Sequence, residues 1–297
     1  MLKFLFLFLV FLMSCAKMTE EKRAKLAVEN YSQGMSAYAR EDYRDAIRKL
    51  SEALKYLENL TPEQIKSAKY TIGESYYLGK DYINAIVYFE DYLFYYPESP
   101  EAEKVYYMVV DSYMKVAPDA YRDQSYTLKA IDRAKDFLSR YPNSPYGDKV
   151  MELISNAQTK IARHEYLVGR FYEDFGYYYS ASLRYKNILI NYPEQISEAE
   201  ILYRYIKSLL FVEEQAKRQE SKYKRLIESA KRELNSAKSE EDKRAIQNRI
   251  DFLKGEIERW RNLAEDSKQE GLKQIQTYKD VYGENAYYKE LRKYAGQ

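Results

Sequence analysis

The 297 residues carry 48 Lys and Arg against 46 Asp and Glu, interspersed to a formal net charge of +2, which argues against nucleic acid as a partner. A single Cys excludes an intramolecular disulfide. A single His, with no Gly-rich phosphate loop and no metal-ligand spacing, argues against catalysis, a metal or a cofactor. Charged residues at 32% with only 10 Gly and 7 Pro imply long helices and short turns, and 34 Tyr exceed what a plain helical bundle needs.

Met1-Leu2-Lys3 precedes an apolar run from Phe4 to Met13 that stops at Ser14-Cys15. That run is too short to cross about 30 Å of hydrocarbon as a helix, so residues 1–14 read as a removable secretory signal. Leu12-Met13-Ser14-Cys15 resembles the lipobox of bacterial lipoproteins, which makes Cys15 the expected lipid attachment and 15–26 a lipidated linker. Several acyl chains anchor firmly, since each buried methylene contributes about 0.8 kcal/mol. Ala16 in place of Asp implies export to the outer membrane, facing the periplasm.

Internal repeats follow. Tyr70, Gly73, Tyr82, Ala85, Phe89 and Pro97 recur at identical offsets as Tyr166, Gly169, Tyr178, Ala181, Tyr185 and Pro193. Gly34, Tyr43, Ala46, Leu50 and Ala53 form an earlier copy without a closing Pro. Tyr113, Ala130, Ala134, Phe137 and Pro142 form another if Val116–Tyr126 is a lengthened loop, which Pro118 and Asp119 suit. The pattern describes a helical hairpin in which a small residue lets two helices approach and an Ala receives an aromatic. Each hairpin leaves an apolar face bare, so the units must stack. At the junctions Tyr96-Pro97-Glu98-Ser99-Pro100 and Tyr141-Pro142-Asn143-Ser144-Pro145, the two Ser stand at N-cap positions with Pro first in the next helix.

Residues 213–269 are charged and nearly Gly-free. Apolar positions at Tyr223, Ile227, Ala230, Leu234 and Ala237, then at Ile246, Ile250, Leu253, Ile257, Trp260 and Ala264, step by three and four as in a coiled-coil seam. Asn235–Asp242 is polar, and Ser239 begins a helix-start signal, so the chain turns back there. Leu272, Ile275, Tyr278 and Tyr282 then supply the second helix of a fifth repeat begun at Ala199–Phe211, and Asn285–Tyr294 a capping helix. The expected fold is all-α: a tetratricopeptide-like right-handed helical solenoid of about five helix pairs, with a long antiparallel coiled-coil hairpin inserted in the last. Repeats one to four and the first helix of the fifth occupy 27–211, the hairpin 212–269, and the remainder 270–297.

The Gly, Tyr, Ala, Phe/Tyr and Pro spacing resembles the tetratricopeptide repeat. Together, the lipobox, the Tyr141–Tyr146 junction, the enlarged third repeat and the Glu165–Pro193 repeat resemble the BamD family, lipoproteins of the outer-membrane β-barrel assembly machinery, over about residues 15–211. The resemblance implies a non-enzymatic assembly factor with two faces. An amino-terminal groove would meet unfolded β-barrel outer-membrane proteins, and carboxy-terminal repeats would dock the periplasmic domains of a BamA-like insertase. Concave-face offsets carried over from the repeat family give Tyr31, Met35, Tyr38, Tyr70, Glu74, Tyr77, Lys104, Tyr107, Asp111 and Met114 for the groove. Tyr166, Arg170, Glu173 and Arg184 are the expected docking residues. Inter-repeat packing is the competing role for each Tyr, and His164 reads as a surface or packing residue. The alternative function is a different periplasmic repeat lipoprotein that scaffolds a cell-envelope or secretion complex mainly through its hairpin.

Overall fold

A computed structural model describes residues 19–296; the signal segment and Cys15 lie outside the described residues. Among the described residues there are eleven α-helices and no strand: α1 (Glu20–Ala39), α2 (Tyr43–Ala53), α3 (Pro62–Leu78), α4 (Tyr82–Tyr95), α5 (Ala102–Val116), α6 (Ser125–Arg140), α7 (Gly147–Asp174), α8 (Tyr178–Asn191), α9 (Glu198–Ser236), α10 (Glu240–Tyr282) and α11 (Ala286–Tyr294). A 3₁₀ segment, Leu54–Asn59, follows α2. The chain forms two compact units. The first runs to Ala117 and resumes over Ser125–Ala157; the second takes Pro118–Gln124 and everything from Gln158.

The repeated Gly is a contact residue. A Cβ on Gly73 would lie 2.7 Å from the Phe89 ring, one on Gly169 2.7 Å from the Tyr185 ring, and one on Gly34 2.6 Å from Leu50 Cγ. The aromatic or Leu sixteen positions on therefore seats directly on the opposing helix backbone. Phe89, Tyr185, Leu50 and the partner alanines Ala46, Ala85 and Ala181 are all fully buried. Between the two helices the same turn recurs: Glu41, Lys80 and Gly176, each seven residues after the Gly, adopt φ of 62°, 63° and 72°. The next amide in each case closes back onto the helix (Asp42 N to Ala37 O, Asp81 N to Tyr76 O, Tyr177 N to Tyr172 O), a left-handed C-terminal cap built twice on a residue that carries a Cβ. Asp42 and Asp81 then cap the second helices by accepting from the amides of Asp45 and Asn84.

The junctions differ from the expected ones. Helices α5 and α7 begin at Ala102 and Gly147, two residues beyond Pro100 and Pro145, so Ser99 and Ser144 are turn residues and not N-caps. The Ser99 hydroxyl is engaged by the Tyr92 hydroxyl (3.0 Å), and its amide closes a turn onto Tyr96 O. Ser144 accepts from Tyr146 N.

In the second unit α9 is one unbroken helix, so no boundary falls at residue 212. It runs past the fifth repeat and is joined to α10 by only three residues, Ala237–Ser239, with Ser239 capping through the Asp242 amide. The connection is shorter than Asn235–Asp242, and Ala237 belongs to it. Ile227, Ala230, Ile250, Leu253 and Ile257 form one buried cluster with Tyr223, Leu234 and Ile246 beside it. The arms are tied on their flanks by Arg249–Glu233 and Arg261–Glu220. Nearer the repeats, Ala264 packs with Val212, Ala216 and Trp260. Tyr203, Ile206, Ile275, Tyr278, Tyr288 and Leu291 close the fifth pair under α11.

Candidate functional site

In the first unit the first helices of successive pairs lie side by side, and one buried carboxylate joins three of them. Glu74 on α3 accepts from Tyr38 of α1 (2.7 Å), Tyr70 of its own helix (2.8 Å) and Lys104 of α5 (2.7 Å), while Lys104 Nζ also reaches the Tyr70 hydroxyl at 3.1 Å. One step along, Tyr77 of α3 donates to Asp111 of α5 at 2.7 Å. Glu74 and Asp111 are each only 7% exposed. Burial alone would raise the Glu74 pKa; the hydrogen bonds from Lys104, Tyr38 and Tyr70 outweigh it and hold the carboxyl below its ordinary value. Burial and the bonded carboxylate push the Tyr38 hydroxyl up, and burial raises Tyr70 to about 12 against a lowering bond from Lys104. Lys104 is held above its ordinary value, because its bonds to Glu74 and Tyr70 outweigh its desolvation.

The remaining groove candidates are less committed to one another. Tyr31 and Met35 flank the small apolar clusters between the first and second pairs, with Met35 Sδ 3.7 Å from the Thr71 hydroxyl. Tyr107 stacks on Tyr146 (ring centroids 4.8 Å, 12° apart) beneath Lys149. Met114 is half-buried against the main cluster of the unit. The structure thus brings Tyr38, Tyr70, Glu74, Tyr77, Lys104 and Asp111 into direct bonds. Tyr31, Met35, Tyr107 and Met114 share the helices but not that network.

The second unit repeats the arrangement with its polarity changed. Glu173 on α7, 9% exposed, accepts from Tyr185 of α8 (2.8 Å) and from Arg204 (3.1 Å) and pairs with Lys207 (3.0 Å) of α9. Tyr166 donates to Glu200 at 2.8 Å, and Glu200 also accepts from Arg204 at 2.9 Å. Counted along each repeat, Glu173–Lys207 stands where Tyr38–Glu74 and Tyr77–Asp111 stand in the first unit. Tyr166–Glu200 likewise stands where Tyr70–Lys104 does. Burial would raise Glu173, yet Lys207, Tyr185 and Arg204 hold it below its ordinary value. Arg170 lies 3.5 Å from the Tyr166 hydroxyl and 3.8 Å from Asp174, and its buried Nε has no hydrogen-bond partner. Arg184 of α8 reaches both carboxylate oxygens of the buried Glu165 at 3.1 and 3.2 Å. His164 Nδ1 donates to the Ala120 carbonyl (2.8 Å), holding Pro118–Gln124 to α7.

Glu200, Arg204 and Lys207 were not among the expected residues. The signal was present: the first helix of the fifth repeat has no Gly, but Ile206 occupies the Gly position, and the same offsets from it lead to Glu200 and Lys207. Tyr146 and Lys149 carried no such signal, because they begin the next helix, outside the repeat motif.

The outer membrane lipoprotein family YfiO matches residues 23–225. A protein of Aquifex aeolicus (strain VF5) named "Putative outer membrane protein assembly factor BamD" is 51% identical over 293 residues, covering 99% of this chain and 96% of that one. A solved structure of Rap protein complexed with Competence and Sporulation Factor is similar over 91% of this chain and 75% of that one, at 14% identity and a TM-score of 0.32, too distant to bear on the fold. The first two likenesses, spanning the repeats and in the second case the α9–α10 hairpin as well, establish that this chain belongs to the YfiO and BamD family of outer membrane lipoproteins.

Proposed function

We propose that the chain is an outer-membrane protein assembly factor that works by binding, without chemistry of its own. It would be held to the membrane through acylated Cys15, dock a barrel insertase and receive unfolded β-barrel proteins. The observation that carries this is the 51% identity to an assembly factor, sustained over 99% of the chain. The geometry supports a division of labour. The buried carboxylates Glu74, Asp111 and Glu173 hold neighbouring helices in register, fixing the spacing of the faces they underlie. Contact with a client then falls to Tyr31, Met35, Tyr107 and Met114 and to the exposed reach of Lys104, where Tyr and Met offer broad area at low entropic cost. In the second unit Tyr166 and Arg170 beside the Glu173 node, and Arg184 on its separate pair with Glu165, would meet the insertase, with the forked guanidinium groups suited to carboxylates.

The test is binding of a peptide copied from the carboxy-terminal, aromatic-ended strand of an outer-membrane barrel to the purified mature chain. Tyr107→Ala and Met114→Ala should each weaken it severalfold with the helical content unchanged. Affinity unaltered in both variants would remove the first unit as the client face.

A further inference from the structure

The first unit has an edge whose chemistry suits a lipid surface. Helices α1 and α3 run in the same direction: Tyr31 shares a cluster with Ile65, Met35 meets Thr71 and Tyr38 meets Glu74, both numbers rising together. Helix α4 runs back along α3, with Tyr77 beside Tyr82, Tyr76 beside Tyr88 and Tyr70 beside Tyr92. The starts of α1 and α3 and the end of α4 therefore share one edge, joined by the 3₁₀ segment after α2, which packs near Ala27 and Tyr31.

Among the described residues, that edge carries apolar groups that no helix covers. Phe94 is 78% exposed, Tyr95 58% and Leu57 46%. Phe94 and Tyr95 are set edge to face with centroids 5.1 Å apart, and Lys69 Nζ lies 4.7 Å from the Tyr95 ring. In α6 of the same unit, the positions matching Phe94 and Tyr95 are Ser139 and Arg140, so the repeat itself does not require aromatics there. Only Ala16, Lys17 and Met18 separate Cys15 from the α1 cap Thr19, and four residue steps reach at most about 14 Å even when fully extended.

We propose that Leu57, Phe94 and Tyr95 form a membrane-contacting edge that rests at the headgroup level of the bilayer into which the lipid at Cys15 is inserted. The proposal rests on the acyl anchor. A Tyr ring, apolar in its body and polar at its rim, settles at this level with a Phe beside it in the apolar layer, and Lys69, ion-paired with Asp91, braces the Tyr95 ring. Exposed Glu58, Glu63 and Glu98 share this edge with exposed Lys22, Lys25 and Lys55, a balance of charge that suits a zwitterionic lipid surface.

The acylated chain has no other thiol, which makes an introduced Cys unique. The mature lipoprotein, reconstituted in phosphatidylethanolamine and phosphatidylcholine vesicles, would carry a nitroxide at Phe94→Cys or at Ile83→Cys. Ile83 is 56% exposed near the opposite end of α4. Collision rates with oxygen, which concentrates in lipid, and with a nickel chelate, which stays in water, report depth. The oxygen-to-nickel ratio at position 94 should exceed that at position 83 severalfold. Equal ratios at the two positions would overturn the proposal. Flotation with the vesicles, lost in Cys15→Ser, reports the anchor separately, so a missing anchor and a missing edge contact give different results.

Discussion

Replacing Glu74 by Gln tests the coupling between pairs most sharply. The carboxylate is 7% exposed and serves donors on both sides: Tyr38 at one oxygen, Tyr70 and Lys104 at the other. An amide of the same shape keeps one acceptor and turns a donor toward the second site, so the charge assistance is lost at both oxygens and a hydroxyl facing the new –NH2 must turn from donor to acceptor. A lost bond to a charged group costs about 1.5–3 kcal/mol, and the Lys104 pair, with its Lys side chain 46% exposed, adds no more than about 1. The expected total is about 2–4 kcal/mol. Tyr38→Phe removes one bond to the same charged group and should cost about 1.5–3 kcal/mol, with a coupling of about 1–2 kcal/mol between the two substitutions. Two compact units make global unfolding a poor two-state reading, so the assay is native-state hydrogen exchange of α1, α3 and α5. Glu74→Gln should loosen all three helices. Strict additivity with Tyr38→Phe, or a change confined to α3, would refute the role assigned to the carboxylate.

Gly73→Ala would place a Cβ 2.7 Å from the Phe89 ring, in a fully buried contact that cannot open without displacing α4. A loss of about 1–3 kcal/mol is expected in exchange from α3 and α4, partly restored by Phe89→Leu. Acid should act through the carboxylate nodes. Glu74 and Glu173 sit below their ordinary value of 4.5 in the folded chain, so their contribution is complete above it and is lost as pH falls through the lower folded values. Lys104 sits above its ordinary 10.5, so its contribution is complete below that value and fades only in stronger alkali. Thermal scans should show a plateau between these limits, with the acid limb blunted in a Glu74→Gln, Glu173→Gln double variant. Deleting residues 213–269 and bridging the gap with a short flexible loop should leave a folded chain, because Glu213 and Lys268 already face each other at 3.7 Å. Near-native helical signal per residue is expected, and loss of the Tyr203–Tyr278 cluster, read by exchange in α11, would count against it.

Much of this architecture was legible because the repeat writes its contacts into fixed offsets. Gly34, Gly73 and Gly169 point to Leu50, Phe89 and Tyr185 without any structure, since only a residue lacking Cβ admits a ring that close. A lengthened loop between α5 and α6 was legible from Pro118 and Asp119, but it spans only 117–124, because Val116 still belongs to α5 and Ser125 and Tyr126 already belong to α6. What the sequence left open was the direction of polar side chains. Tyr38, Tyr70, Tyr77 and Glu74 occupy concave-face offsets, yet their polar ends turn to the neighbouring repeat because each finds a partner there. Offsets fix a face, while pairing across a gap of 34 or 36 residues depends on which residue stands opposite. The helix starts after Ser99 and Ser144 were misplaced for a related reason: the Tyr92 hydroxyl and the Tyr146 amide take the oxygens that would have capped.

The most direct test of the account is to solubilise membranes gently, recover the lipoprotein through a carboxy-terminal tag and identify its stoichiometric companions by mass spectrometry, in parallel with an Arg184→Glu, Arg170→Glu variant. A β-barrel protein with tandem periplasmic domains should be recovered with the unaltered chain and lost with the variant. Its absence from both, with a different envelope complex present at stoichiometry, would contradict the assembly role.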